Sequence, residues 1–195
     1  MPARRPFALA VLAATLGTAA LASCGGEEPT KAEPPQAVER EDVSDGELGP
    51  TDAIPQPKGE RILSISGLIS NPNDADGAHL DLLTLEKMPR VKIKVFEPFE
   101  QEDMVFEGVL MSDLMEILGA DSSAKEVHFT ALDDYKIDLP ISDLEEDEVL
   151  LATRADGAHM SISAGGPTRI VFPPTSEIGR NTDMWIWNVD SMVVR

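Results

Sequence analysis

The chain has 195 residues, of which 35 are acidic and 16 are lysine or arginine, and its formal net charge at pH 7 is −19. A surface with this charge repels phosphates, so the composition excludes a nucleic-acid-binding protein. Cys24 is the only cysteine, which excludes a disulfide within the chain.

Residues 1–23 have the pattern of a lipoprotein signal peptide. Arg4 and Arg5 precede a run of apolar and small residues at 7–22, which is shorter than the roughly 20 residues of a bilayer-spanning helix. Leu-Ala-Ser-Cys at 21–24 resembles a lipobox, in which the cysteine is acylated and the chain is cut before it. We therefore predict a mature chain anchored in a cell membrane through the lipid on Cys24 and lying on the extracytoplasmic side, in the periplasm or at the cell surface.

Residues 24–58 predict a lipidated cysteine followed by a disordered, acidic and proline-rich tether. Positions 25–58 contain six prolines, nine acidic residues and only seven apolar residues. So few apolar side chains cannot offset the entropy lost on ordering the chain. Such a tether would hold the following domain clear of the lipid surface.

Residues 59–195 have the size and the regular apolar pattern of one folded domain. Apolar alternation and apolar runs predict strands at 61–68, 91–95, 104–110, 127–131, 135–139, 149–155, 169–172 and 185–194. Two helices are predicted, one at 81–88 and one at 113–118. Ser112 is expected to cap the second helix and Gly119 to end it. Because strands dominate, the predicted class is α+β with mostly antiparallel or mixed sheets and a few short helices.

No motif for a metal centre or for a nucleophile is present in the chain. The three histidines lack the spacing that places two ligands on one helix face. The oxygen-rich segment 71–77 does not fit an EF-hand and indicates a turn. The four acidic residues at 145–148 are typical of a solvated surface. We therefore assign no catalytic residue and no metal ligand.

A set of motifs from residue 104 onward carries a resemblance to a known family. It comprises Phe106-Glu107-Gly108-Val109-Leu110, Tyr135-Lys136-Ile137-Asp138-Leu139-Pro140, Val149-Leu150-Leu151-Ala152, Gly165-Gly166-Pro167-Thr168-Arg169 and Trp185. In order and spacing this set resembles the oxidoreductase molybdopterin-binding domain of the sulfite oxidase family, and most of all its small single-domain bacterial lineage. The resemblance implies a sulfite-oxidase-type α+β fold for residues 59–195.

The resemblance also implies a pterin pocket, which would be lined by residues in the family-like segments. These candidates are Tyr135, Arg154, Gly166, Pro167, Arg169 and Trp185. Each has a purely structural alternative, because Gly165-Gly166-Pro167 is also a turn signal and Trp185 shares one strand face with Trp187, where core packing is the usual role.

The sequence departs from the family in the two features that hold the cofactor. Catalytic members bind molybdenum through a cysteine thiolate expected near 91–99, and that segment has no cysteine. The family also surrounds the pterin phosphate with basic groups, whereas residues 59–195 contain 11 basic and 26 acidic residues, a net charge of −15. Candidates for a local basic cluster are Lys92, Lys94, Arg154, Arg169 and Arg180. We therefore expect no cofactor, and molybdopterin follows from the resemblance alone.

Three functions remain open at this point. The leading one is a membrane-tethered, non-catalytic binding or accessory module. The alternative is a molybdopterin-dependent oxidoreductase with atypical cofactor ligation, and the partial twin-arginine pattern at Arg4-Arg5 agrees with it because a folded cofactor protein needs that export route. The third is an accessory subunit whose acidic face docks on a basic protein partner in the cell envelope.

Overall fold

The computed structural model describes residues 39–146 and 148–195. The predicted signal peptide, Cys24 and the tether up to residue 38 lie outside these residues. Within the described part of the chain, no helix has the length and apolar character needed to cross a bilayer.

Two β-sheets and three short helices make up the described fold. In chain order the elements are β1 Arg40–Ser44, β2 Arg61–Gly67, β3 Ala78–Asp81, α1 Leu82–Leu85, β4 Arg90–Glu97, β5 Glu102–Leu110, α2 Met111–Leu118, β6 Glu126–Ala131, β7 Lys136–Pro140, α3 Ile141–Glu146, β8 Leu150–Ala155, β9 Ala158–His159, β10 Arg169–Val171 and β11 Val189–Val194. Single 3-10 turns lie at Ile162–Ala164, Ile178–Arg180 and Thr182–Met184.

The first sheet is antiparallel and has the strand order β1-β4-β5-β8-β10, with β9 paired to β8. The second has the order β3-β2-β11-β6-β7, and its β2 and β11 are parallel while its other pairs are antiparallel. Sheets with few short helices confirm the predicted α+β class.

Alternation along the strands builds the core. Val127, Phe129 and Ala131 of β6 are buried while the residues between them are only half-buried, as the period of two in a half-buried strand requires. Helix α2 buries one apolar face, including Leu114 and Leu118, and ends at Gly119 with a φ of 62°. These packed elements fix the turns that carry the site described below.

Most predicted strands are correct, and the differences concern ends and short elements. The strand predicted at 185–194 begins only at Val189, because Asn188 has a φ of 51° and the chain before it forms a 3-10 turn. Helix α1 is shorter than predicted and is capped by Asp81. Ser112 is not the cap of α2, because that helix already begins at Met111. Strands β1, β3 and β9 and helix α3 were not predicted.

The prediction of a disordered tether is wrong for residues 39–58. Strand β1 pairs with the edge of β4, and the backbone amides of Glu47 and Leu48 donate to the carbonyl of Lys87. Ile54 is only 6% exposed and belongs to the core. Local composition underestimates this segment because its backbone groups are satisfied by a distant strand edge, which no local pattern reveals.

Candidate functional site

A cleft of about 330 Å³ lies beside the turn that joins β6 and β7. Four aromatic residues form much of its lining, and they are Phe99, Tyr135, Trp185 and Trp187. The remaining lining residues are Ala131, Asp133, Thr182, Asp183 and Asn188. Phe99 meets Trp187 edge-on with 5.2 Å between ring centroids, while Phe99 and Tyr135 are 52% and 43% exposed. We call this the aromatic cleft.

Hydrogen bonds from two turns hold Tyr135 in the cleft. The backbone amide of Tyr135 donates to Asp133 Oδ1 at 3.1 Å, and its hydroxyl donates to the carbonyl of Asp183 at 2.6 Å. Asp183 lies in the turn Thr182–Met184, and its backbone amide donates to Asn181 Oδ1, which caps this turn. The tyrosine therefore ties the β6–β7 hairpin to the segment that carries Trp185.

Gly166 and Pro167 do not line the aromatic cleft. The side-chain amide of Asn188, itself a lining residue, donates to the carbonyls of Ile162 and Gly166. Gly166 leaves no room for a side chain because a Cβ there would collide with Met160, and the Gly166–Pro167 peptide is cis. These two predicted residues are therefore part of the scaffold, while Tyr135 and Trp185 line the cleft.

Arg169 lies beneath the aromatic cleft and is sealed from it. Its guanidinium donates to Glu97 Oε1 at 2.8 Å, and the side chains of Arg169 and Glu97 are 3% and 0% exposed. The guanidinium also lies 4.5 Å from the ring of Trp187 and 4.9 Å from that of Phe106. Burial lowers the pKa of Arg169, although the hydrogen bond to Glu97 favours its charged form. A cation held in this way is neutralised within the protein.

Both carboxylate oxygens of Glu97 accept hydrogen bonds from other residues of the chain. Besides the contact with Arg169, its second oxygen accepts hydrogen bonds from the backbone amides of Phe99 and Glu100 at 2.8 and 2.5 Å. It lies on the same inward face of β4 as Val91, Ile93 and Val95. The sequence contains the signal for this, because strand alternation places position 97 in the core, but Glu97 was not among the predicted site residues.

Arg154 lies apart from the aromatic cleft. It pairs with Glu86 at 2.6 Å and approaches Glu107 at 3.8 Å, and Glu107 in turn pairs with Arg90. His159 contacts Glu86 at 3.3 Å. The side chain of Arg154 is 24% exposed, so this network is reached by solvent. The structure therefore does not bring Arg154 together with the other candidate pocket residues.

A second cleft of about 510 Å³ shares Trp185 with the aromatic cleft. It brings together Lys94 and Arg180, two of the five residues predicted as a basic cluster. Each has a carboxylate partner of its own, since Lys94 pairs with Asp103 at 3.0 Å and Arg180 pairs with Glu177 at 2.8 Å. The predicted cluster thus converges only in part, and its charge is offset locally.

The histidines all contact carboxylates. His128 contacts Asp138 at 2.7 Å and His79 contacts Asp76 at 2.8 Å. Asp74 and Asp76, which are exposed, and the half-buried His79 of β3 have ligand atoms within 4.8 Å of one another. The side chain of Asn73 bonds the backbone at Pro55 and His79, which agrees with the predicted turn.

The described residues do not fit a molybdopterin cofactor ligated by cysteine. Residues 39–195 contain no cysteine, and Glu97, which lies in the segment where the thiolate is expected, has both oxygens engaged. Among the described residues, six of seven arginines contact a carboxylate of the chain. These are Arg40, Arg90, Arg154, Arg169, Arg180 and Arg195. Arginines already paired in this way leave little free positive charge for a phosphate.

Sequence reasoning missed several residues of the aromatic cleft. Phe99, Asp133, Asp183 and Asn188 are lining residues that were not predicted. Trp187 had a signal, because it stands two positions from Trp185, but core packing was the default reading. The others come from turns that meet only in the folded chain.

Comparison with known proteins agrees with this fold. Residues 98–189 match the family model described as oxidoreductase molybdopterin binding domain. The structure is similar to the sulfane dehydrogenase SoxCD from Paracoccus pantotrophus, with a TM-score of 0.55 and 20% sequence identity over 74% of this chain and 40% of that chain. This chain therefore spans less than half the length of that protein, and no curated protein sequence matches it. Residues 98–189 are therefore similar to the oxidoreductase molybdopterin binding domain, and the described chain has the fold of the sulfite oxidase type.

Proposed function

We propose that this chain is a lipid-anchored extracytoplasmic protein whose molybdopterin-type domain is a non-catalytic binding or accessory module. The observation that carries the proposal is the buried pair of Glu97 and Arg169. In this pair the carboxylate of Glu97 neutralises Arg169, which lies in a family-like segment. A cofactor phosphate would have to displace Glu97 and leave a buried carboxylate without its partner, which is costly.

The donor set supports the same proposal. A cysteine thiolate is absent from residues 39–195, and the histidines at 79, 128 and 159 each contact a carboxylate instead. We therefore expect that the mature protein binds neither molybdenum nor pterin. The scaffold would instead present its clefts to a ligand or to a protein partner in the envelope.

The second candidate function is a molybdopterin-dependent oxidoreductase with atypical ligation, and the family match over residues 98–189 favours it. Electron paramagnetic resonance of the protein purified from the envelope of its own host separates the two. During a reductive titration, the non-catalytic module gives no molybdenum(V) signal. A signal that appears and disappears reversibly with potential would establish the oxidoreductase and overturn the proposal.

Membrane attachment rests on Cys24 and has its own test. The wild-type chain is expected in the membrane fraction, with the diacylglyceryl mass on the peptide that begins with Cys24. The Cys24→Ala variant should lose the lipid and leave that fraction after the signal peptide is removed. Recovery of an unlipidated wild-type chain from the soluble fraction would contradict the anchor.

A further inference from the structure

We infer that the aromatic cleft binds an organic cation, a guanidinium or alkylammonium group carried on an apolar stem. This inference rests on the proposed function, because it names the ligand class of a module without a metal cofactor. It begins from the charge of the lining. Asp133 and Asp183 are the charged residues that line the cleft, and neither forms an ion pair with a described residue.

The aromatic rings favour the same kind of ligand. A cation over the face of an aromatic ring is attracted by the ring quadrupole, and cages of several aromatic side chains bind ammonium groups in this way. The rings of Phe99 and Tyr135 are both exposed in the cleft. Tyr135 is fixed by its hydroxyl, so little side-chain freedom is lost when a ligand binds.

The buried guanidinium of Arg169 does not oppose a second cation strongly. It lies 4.5 Å from the ring of Trp187, but Glu97 contacts it at 2.8 Å and neutralises its charge. Arg169 and Glu97 cancel each other's charge, so the two aspartates of the lining leave the local net charge negative. An anionic ligand such as a phosphate or an oxyanion would meet two carboxylates and no free cation, which is unfavourable.

Exposed apolar side chains beside the cleft suit the stem of the ligand. Leu132 and Ile162 are 51% and 66% exposed. Both are tied to the cleft residue Asn188, since Asn188 donates to the carbonyl of Ile162 and accepts from the amide of Leu132. Exposed apolar side chains grouped at one site indicate a binding surface. The same cation could belong to a small molecule or to an arginine or lysine of a protein.

The chain supplies its own reporter for a test. Both of its tryptophans, Trp185 and Trp187, line the aromatic cleft, so their fluorescence and their indole N–H resonances report on this site. The lipidated full-length protein in uncharged detergent is titrated with N-acetylarginine amide. N-acetylcitrulline amide has the same shape without the charge and serves as the control ligand.

We expect the arginine probe to bind at least about tenfold more tightly than the citrulline probe. The double variant Asp133→Asn/Asp183→Asn should lose most of this difference. Its matched control is Glu116→Gln/Glu145→Gln, which removes two exposed carboxylates on α2 and α3 that do not line the cleft and should bind like the wild type. A peptide with leucine on each side of arginine tests whether the cation belongs to a small molecule or to a protein. Tighter binding of this peptide than of N-acetylarginine amide assigns the cation to a protein partner.

Three results would overturn the inference. The first is equal binding of the arginine and citrulline probes. The second is that neither probe changes the fluorescence or the indole N–H resonances of the tryptophans. The third is undiminished arginine binding by the Asp133→Asn/Asp183→Asn variant. In a protein free of molybdenum these results leave the proposed function standing. Molybdenum in the native protein overturns the proposed function whatever the probes do.

Discussion

Arg169 and Arg154 lie in family-like segments and both contact glutamates, yet the structure places them in opposite environments. Arg169 and its partner Glu97 are almost completely buried, among the rings of Phe106 and Trp187. Arg154 is a quarter exposed and its neighbours are other charged groups. The difference teaches that a basic residue in a family-like segment is not by itself a ligand-binding group. Burial decides whether it belongs to the fold or to the surface.

The largest effect is expected from breaking the buried pair. Arg169→Met leaves the carboxylate of Glu97 buried without a cation, which should lower the free energy of unfolding by about 3–5 kcal/mol. Chemical denaturation measures this loss. The double variant Arg169→Met/Glu97→Gln removes both charges and keeps an oxygen for the amides of Phe99 and Glu100, so it should recover a large part of the stability. A single variant as stable as the wild type would show that the pair is not structural.

Asp81 is a buried carboxylate that is held by hydrogen bonds, whereas Glu97 is held by a cation. Asp81 is 2% exposed, and its oxygens accept from the backbone of Lys58, Gly59 and Thr84 and from the Thr84 hydroxyl. Burial raises the pKa of Asp81, but these hydrogen bonds outweigh it and hold the pKa at about 2. Because the pKa of Asp81 is lower in the folded chain than in the unfolded chain, the ionised carboxylate stabilises the fold at pH values above about 4. This stability is lost as the pH falls from about 4 to about 2.

Asp81→Asn should therefore lower the free energy of unfolding by about 2 kcal/mol at neutral pH. The difference from the wild type should shrink as the pH falls below about 4 and vanish near the pKa of the folded state. Denaturation curves at several pH values measure both quantities. A difference that stays constant with pH would contradict the role assigned to the ionised carboxylate.

A smaller effect is expected at Arg154, whose side chain is a quarter exposed. Arg154→Met should cost about 1 kcal/mol, because solvent and the other charges of the network compensate for the lost contacts. Added salt should reduce this cost, since it screens solvent-reached charges. Arg180→Met is the matched control, because Arg180 is 59% exposed and pairs only with Glu177, and it should change the stability by less than about 0.5 kcal/mol. A cost for Arg154→Met as large as that for Arg169→Met would remove the distinction between the two regions.

The sequence was sufficient for the fold class and most strands because alternation is a local signal. β4 shows this, since its apolar residues at 91, 93 and 95 are all buried. The short strand β1 was missed because its pairing with β4 joins residues far apart in the chain. Two of the nine residues that line the aromatic cleft were predicted. Tyr135 and Trp185 lie in family-like segments, whereas Phe99, Asp133 and Asp183 meet only through the tertiary arrangement of turns.

The most direct test of the central proposal is the molybdenum and pterin content of the protein purified from its own host. A family enzyme with its cysteine ligand, prepared in the same way, serves as the positive control. We expect molybdenum and pterin far below one per chain, because Arg169 is already neutralised by its ion pair with Glu97 and residues 39–195 contain no cysteine. Molybdenum and pterin near one per chain would contradict the account and identify the chain as an oxidoreductase with an unusual ligand.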